Sequence, residues 1–147
     1  MSTIITVLNG LNLNFLGKRE PEIYGNATLK DIERSCKDRA VEFGITLHFY
    51  QSNCEGQLVY WIQTAIEVSD GLIINPGAYG HTSFAIFDAL KMFPGPIVKV
   101  HLSNIYQRES FRHHSYFPRQ QMRLLSGVFV RGIGLHLNIL LSSLNVV

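Results

Sequence analysis

Apolar residues fall in short blocks separated by polar, glycine-rich segments, and the blocks follow two different periods. Residues 4–8, 46–50, 71–74, 96–100 and 124–130 are short apolar runs of the length of buried strands. Helical spacing fills the stretches between them. Thr28 and Asp31 form a capping-box pattern beside Leu29, Ile32, Cys36, Ala40 and Phe43, which share one helical face until Gly44. Leu58, Trp61, Ile62, Ala65 and Ile66 make a second stripe within residues 55–68. A third helix starts at Thr82 or Ser83, runs to Met92 and is apolar almost all round through Phe84, Ile86, Phe87, Leu90 and Phe93. So wide an apolar surface on a small protein predicts a subunit contact as well as a sheet contact. Residues 133–144 fit a strand and a helix equally, and the alternation of elements favours the helix. Residues 9–25 hold too much Gly, Asn and Pro for a helix and predict one long loop, the kind that serves as a lid. Strands alternating with helices predict an α/β fold with a mainly parallel sheet.

In such a sheet ligands bind at the carboxyl ends of the strands. The segments that follow the predicted strands are polar and ring-bearing: the loop holding Asn12, Arg19 and Tyr24, then Gln51-Ser52-Asn53, then residues 75–81, then residues 101–104. A small-molecule site on that edge is the expectation.

Composition narrows the rest. The 147 residues are 46% apolar, enough for one core, and no repeat or linker divides them, so a single domain over residues 1–147 is expected. Thirteen basic against 11 acidic residues, a net charge of +2, disfavour a nucleic-acid binder and a charged disordered tail. Asn9, Gly10, Asn12 and Asn14 break the first apolar run, which argues against a signal peptide. Residues 127–147 are long enough to span a bilayer, but Arg131, His136 and Asn138 interrupt them and no membrane anchor is expected. Two cysteines make neither a disulfide framework nor a four-cysteine metal site and fit a reducing, cytoplasmic setting.

Individual residues admit a chemical and a plain structural reading. His101, ending a strand, is a candidate acid or base, or else a hydrogen-bonded structural histidine. Tyr24 is a candidate base only if a cation such as Lys18 or Arg19 lowers its phenol pKa; otherwise it packs beneath Pro21. Gly77 and Gly80 allow either an anion cradle or a tight turn. Cys54 beside Glu55 is a reactive thiol or a passive loop residue, and Arg112 a ligand clamp or a surface charge. Adjacent His113 and His114 point different ways on any regular element, so no metal is expected there.

The segments VLNGLNLNFLGKREPEIYG, QSNCEG, INPGAYGHTS, VHLSN and FRHHSY occur in this order. Their sequence and spacing closely resemble the type II 3-dehydroquinate dehydratases, from about residue 4 to the C-terminal helix. The resemblance implies a flavodoxin-like three-layer sandwich on a five-stranded parallel sheet, assembled as a homododecamer of trimers. It implies cofactor-free elimination of water from 3-dehydroquinate to give 3-dehydroshikimate, in aromatic biosynthesis or quinate breakdown, with no metal and no Schiff-base lysine. Tyr24 matches the general base, Arg19 the residue that favours the tyrosinate, and Asn12 the residue that holds a water against the enolate. His101 matches the general acid. Asn75, His81 and Arg112 match residues that bind substrate hydroxyls, and the backbone amides of Leu102 and Ser103 the carboxylate site. Asp88 matches a residue that reaches a neighbouring subunit's site.

The sequence departs from that pattern at Leu11 for Pro, Cys54 for His, Gly80 for Thr, Phe87 for Arg and Lys99 for Glu. Strand alternation puts residues 99 and 101 on one face. Lys99 is therefore expected to lower the pKa of His101 and move the acid limb of the pH–rate profile to lower pH. Two other readings compete with an active dehydratase: a homologue that keeps the pocket but has lost turnover through Lys99, Phe87 and Gly80, and a nucleotide or flavin module of the same fold class.

Overall fold

The computed structural model describes residues 2–24, 26–101, 123–126, 137–139, 141, 142 and 144. Strands β1 (Ile4–Asn9), β2 (Thr46–Gln51), β3 (Gly71–Asn75), β4 (Ile97–His101) and β5 (Arg123–Ser126) form one sheet in the order β2-β1-β3-β4-β5. Every neighbouring pair is parallel. β3 and β4 are buried along their whole length, as expected of parallel strands covered on both faces. β2 lies at one edge, and its more polar run Thr46-Leu47-His48-Phe49-Tyr50-Gln51 is only partly covered. The fifth strand begins one residue before the expected 124–130; residues 127–130 lie outside the described residues.

Helices cover both faces of the sheet. On one, Ile32, Cys36 and Ala40 of α2 (Leu29–Glu42) pack with Ile5, Val7, Ile73, Val98 and Val100. Leu137 and Leu141 join them, and residues 137–139 and 141–142 are helical, as the alternation of elements predicted. On the other face, Leu58, Ile62 and Ala65 of α3 (Glu55–Val68) meet Leu8, Leu72, Ile74 and Ile97. Each aliphatic side chain so buried contributes about 1.5–3 kcal/mol relative to exposure. The capping box is present: the Asp31 N–H donates to Thr28 Oγ1 at 3.2 Å and the Thr28 N–H to Asp31 Oδ2 at 2.9 Å. Those bonds hold the Asp31 carboxyl below its usual range. No helix among the described residues is long and apolar enough to cross a membrane.

Two one-turn helices correct the sequence reading. The expected loop of residues 9–25 contains a 3-10 turn, Leu13–Phe15, and α1 (Pro21–Tyr24). Pro21 sits at the first helical position, where its missing N–H costs nothing and its φ is already helical. The third expected helix is α5 (Phe84–Lys91), and a separate turn, α4 (Tyr79–Thr82), precedes it in the segment read as a strand-to-helix loop. Ser83 is extended, at φ −91° and ψ 99°, and its Oγ accepts the Ile86 N–H at 3.0 Å, so Ser83 rather than Thr82 caps the longer helix.

Glycine brings the loops after β1 and β3 together. A Cβ at Gly10 would stand 2.4 Å from the Pro76 carbonyl oxygen, and one at Gly77, where φ is 62°, 2.6 Å from that of Leu11. Gly77→Ala is expected to lose about 1–3 kcal/mol to left-handed strain before the clash is counted. Urea denaturation reads that loss as a lower midpoint; an unchanged midpoint would mean that the two loops separate without cost.

Candidate active site

Four parallel strands end at one edge in Asn9, Gln51, Asn75 and His101. Asn9 stands in register with both Gln51 and Asn75. From β1 the chain moves outward to β2 and then returns to β3 on the opposite side. The carboxyl ends of β1 and β3 therefore flank the crevice that such a reversal opens.

Hydrogen bonds tie three loops across this edge. Asn12 adopts φ 66°, and its N–H donates to Asn53 Oδ1 at 2.9 Å. Gln51 Nε2 donates to the same oxygen and to the Gly10 carbonyl, each at 3.2 Å. The Tyr79 hydroxyl donates to the Asn53 carbonyl at 2.8 Å. The Gly10 N–H donates to the Asn75 carbonyl at 2.8 Å. Asn12 is thus fixed through its backbone, and its side chain is left exposed. Gln51, Asn53 and Tyr79 lie in segments expected at this edge but were given no individual role; their position at and just past strand ends was the available signal.

Asn75 is buried, and its Oδ1 accepts the Gly77 N–H at 3.2 Å, closing the turn into α4. That turn presents His81, whose ring stacks on His101 with centroids 5.7 Å apart and planes 17° from parallel. His101 is buried, and its Nε2 has no hydrogen-bond partner among the described residues. Burial, then Lys99, then His81 push its pKa down to about 3. The imidazole is therefore neutral across the physiological range, not titrating near neutrality. Lys99 acts in the expected direction, but burial is the larger cause. Lys99 is itself 1% exposed, and burial pulls its ammonium down to about 7.

The remaining expected residues divide. Arg19 is exposed in the loop after β1, with Nε 3.6 Å from Glu20 Oε2, and Glu20 holds an unusual φ of 41°. Tyr24 is the last residue of α1 in that same loop. Asp88 is exposed on α5, whose buried positions are Ile86, Ala89 and Leu90, so it faces away from the core. Leu102, Ser103 and Arg112 lie outside the described residues, as do His113 and His114. Cys54 precedes α3, is exposed and makes no side-chain cap; the buried Cys36 thiol is pushed up to about 12 by burial and by Glu33. Among the described residues no group of three or more His, Cys, Asp or Glu is placed to hold a metal ion.

Amides at three strand ends and one neutral, buried imidazole whose Nε2 has no partner among the described residues suit a small, polyhydroxylated molecule. An imidazole N–H so placed can donate a hydrogen bond or a proton to a ligand oxygen.

Residues 3–141 match the family described as dehydroquinase class II. The chain is 62% identical over 145 residues to a 3-dehydroquinate dehydratase of Bartonella henselae, covering 99% of this chain and 98% of that one. It is 71% identical over 116 residues to one from Bartonella bacilliformis, covering 79% and 73%. Among solved structures, the type II dehydroquinase from Propionibacterium acnes superposes with a TM-score of 0.91 at 38% identity, over 97% of this chain and 98% of that one.

Proposed function

The chain belongs to the class II dehydroquinase family, and from that membership we propose that it removes water from 3-dehydroquinate to give 3-dehydroshikimate, with Tyr24 as base and His101 as acid. The observation that carries the assignment of the acid is the buried His101 ring at the carboxyl end of β4, with no hydrogen-bond partner for Nε2 among the described residues and His81 stacked against it.

The reaction breaks a C–H bond next to the ketone and a C–O bond one carbon further on. Tyr24 as phenolate takes the proton, and the electron pair becomes an enolate. Arg19, in the same loop, favours the phenolate by its charge. Asn12 holds a water against the enolate oxygen, a preorganised dipole where negative charge develops. The enolate collapses, the hydroxyl departs with the proton of His101, and the products are the conjugated enone and water. Asn75 spends its Oδ1 on Gly77 and so offers its amide nitrogen to a substrate hydroxyl; His81 and Arg112 contact other hydroxyls, and the amides of Leu102 and Ser103 the carboxylate. On this reading no metal or organic cofactor takes part.

The finer structural reading is part of the same proposal. The 147 residues form one flavodoxin-like domain, a reading supported by the strand order and by helices on both faces. Phe84, 59% exposed, and Phe87 stack edge to face on α5, and Met92 lies exposed just beyond. We read that face as a contact between copies of the chain, which assemble as trimers into a dodecamer in the cytoplasm and bring Asp88 to a neighbour's site.

The test is ultraviolet absorbance after 3-dehydroquinate is added to the purified, assembled protein. The product is a conjugated enone and the substrate is not, so absorbance is expected to rise. No rise from folded protein that binds the substrate would overturn the proposal in favour of a binding-only homologue.

A further inference from the structure

Lys99 heads the largest completely buried side chains among the described residues, and the steps above give it nothing to do. A lysine buried so completely is rare. Its surroundings are specific. Alternation along β4 sends Val98 and Val100 into the core beneath α2 and turns Ile97, Lys99 and His101 to the opposite face. There α4 passes with a glycine at position 80. A Cβ on Gly80 would stand 3.4 Å from Lys99 Nζ, 3.4 Å from His101 Cε1 and 3.0 Å from Pro76 Cγ. The lysine nitrogen and the edge of the imidazole thus border the space that a side chain at 80 would fill, no further apart than twice the first distance.

We propose that Lys99 is a positioning residue for the dehydration: seated against Gly80, its ammonium lies beside His101 and makes the neutral imidazole a stronger proton donor to the departing hydroxyl. This rests on the reading of His101 as the acid. A neutral imidazole is a weak acid because loss of its N–H leaves an anionic ring. A cation a few ångströms away, in a medium of low dielectric, stabilises that anion as it develops. The proton leaves His101 with the hydroxyl as water. The proton that Tyr24 took from carbon returns to the imidazole through solvent, and Lys99 keeps its own.

Among the described residues, Ile74 of β3 and Leu124 of β5 flank Lys99 in register, and His81 of α4 stacks on His101. Of these only His81 titrates. Burial pulls Lys99 to about 7, so its ammonium is lost as pH rises through that value, and the assistance to His101 is lost with it.

The experiment measures kcat and KM from about pH 5 to 8 for the parent and Lys99→Met, beside nitrogen-15 NMR of the histidine rings down to about pH 3. In the parent, kcat is expected to fall as pH rises through 7. Lys99→Met should lower kcat about tenfold at the acid end, the effect of one pKa unit in the donor, and should flatten that fall with little change in KM. The His101 ring should take up its second proton at higher pH in Lys99→Met than in the parent. A parent-like pH–kcat curve together with an unmoved His101 titration in Lys99→Met would overturn the proposal. A parent that forms no enone at any pH would instead remove the dehydratase reading on which it rests.

Discussion

Tyr24→Phe is expected to turn over 3-dehydroquinate about 10²–10⁴-fold more slowly than the parent, the usual contribution of a positioned general base. The substitution keeps the ring and removes the hydroxyl, so the loss should fall on kcat and leave KM nearly unchanged. Pro21 starts a single helical turn and Tyr24 ends it, which fixes the tyrosine in the segment that begins with Arg19. A free phenol ionises near pH 10, and only a nearby positive charge makes an adequate fraction of phenolate at neutrality. Arg19 is 3.6 Å from Glu20 at a surface where such pairs are weak, so the guanidinium can exchange that partner for a phenolate at little cost. A kcat within tenfold of the parent would place the base elsewhere.

His101→Ala is expected to lose a comparable factor of about 10²–10⁴ in kcat, since the leaving hydroxyl would depart without a donor. It should also change how the fold responds to acid. The His101 pKa is lowered from 6.5 unfolded to about 3 folded, so between those values the unfolded chain binds more protons. Stability contributed by the neutral ring is fully present above the unfolded value and is lost as pH falls toward the folded one. His101→Ala removes that dependence, whatever its cavity costs at neutral pH. Chemical denaturation at a series of acid pH values should therefore give a shallower decline for the variant than for the parent. Equal slopes would mean that the ring is not held neutral by its surroundings.

Much of the fold was legible because it rests on local pattern. The runs around Ile4, Thr46, Gly71, Ile97 and Leu124 all pair in one parallel sheet, and the Thr28–Asp31 box caps its helix as read. What escaped was too short for periodicity to reveal. α1 and α4 have four residues each, barely one turn, and their signals are single residues such as Pro21. The site was legible as a location, because polar residues end apolar strands, and His101 and Asn75 stand where the parallel sheet predicts. Its internal wiring was not: Asn12 and Asn53 are 41 residues apart, and nothing local to either announces their bond. Lys99 shows the limit most plainly. Alternation placed it on the face of His101, but only the packed structure reveals that Gly80 of α4 lies beside both.

The two sulfhydryls differ in a way that experimenters can use. Cys36 lies in the core with its thiol held near 12, far from the ionised form that attacks alkylating reagents, while Cys54 is exposed at the start of α3. A maleimide dye added to the unaltered chain would therefore attach at one place. That place adjoins Asn53, whose side chain holds the backbone of Asn12 and whose carbonyl holds Tyr79. A fluorophore there would report any movement of the loop after β1 with no engineered cysteine.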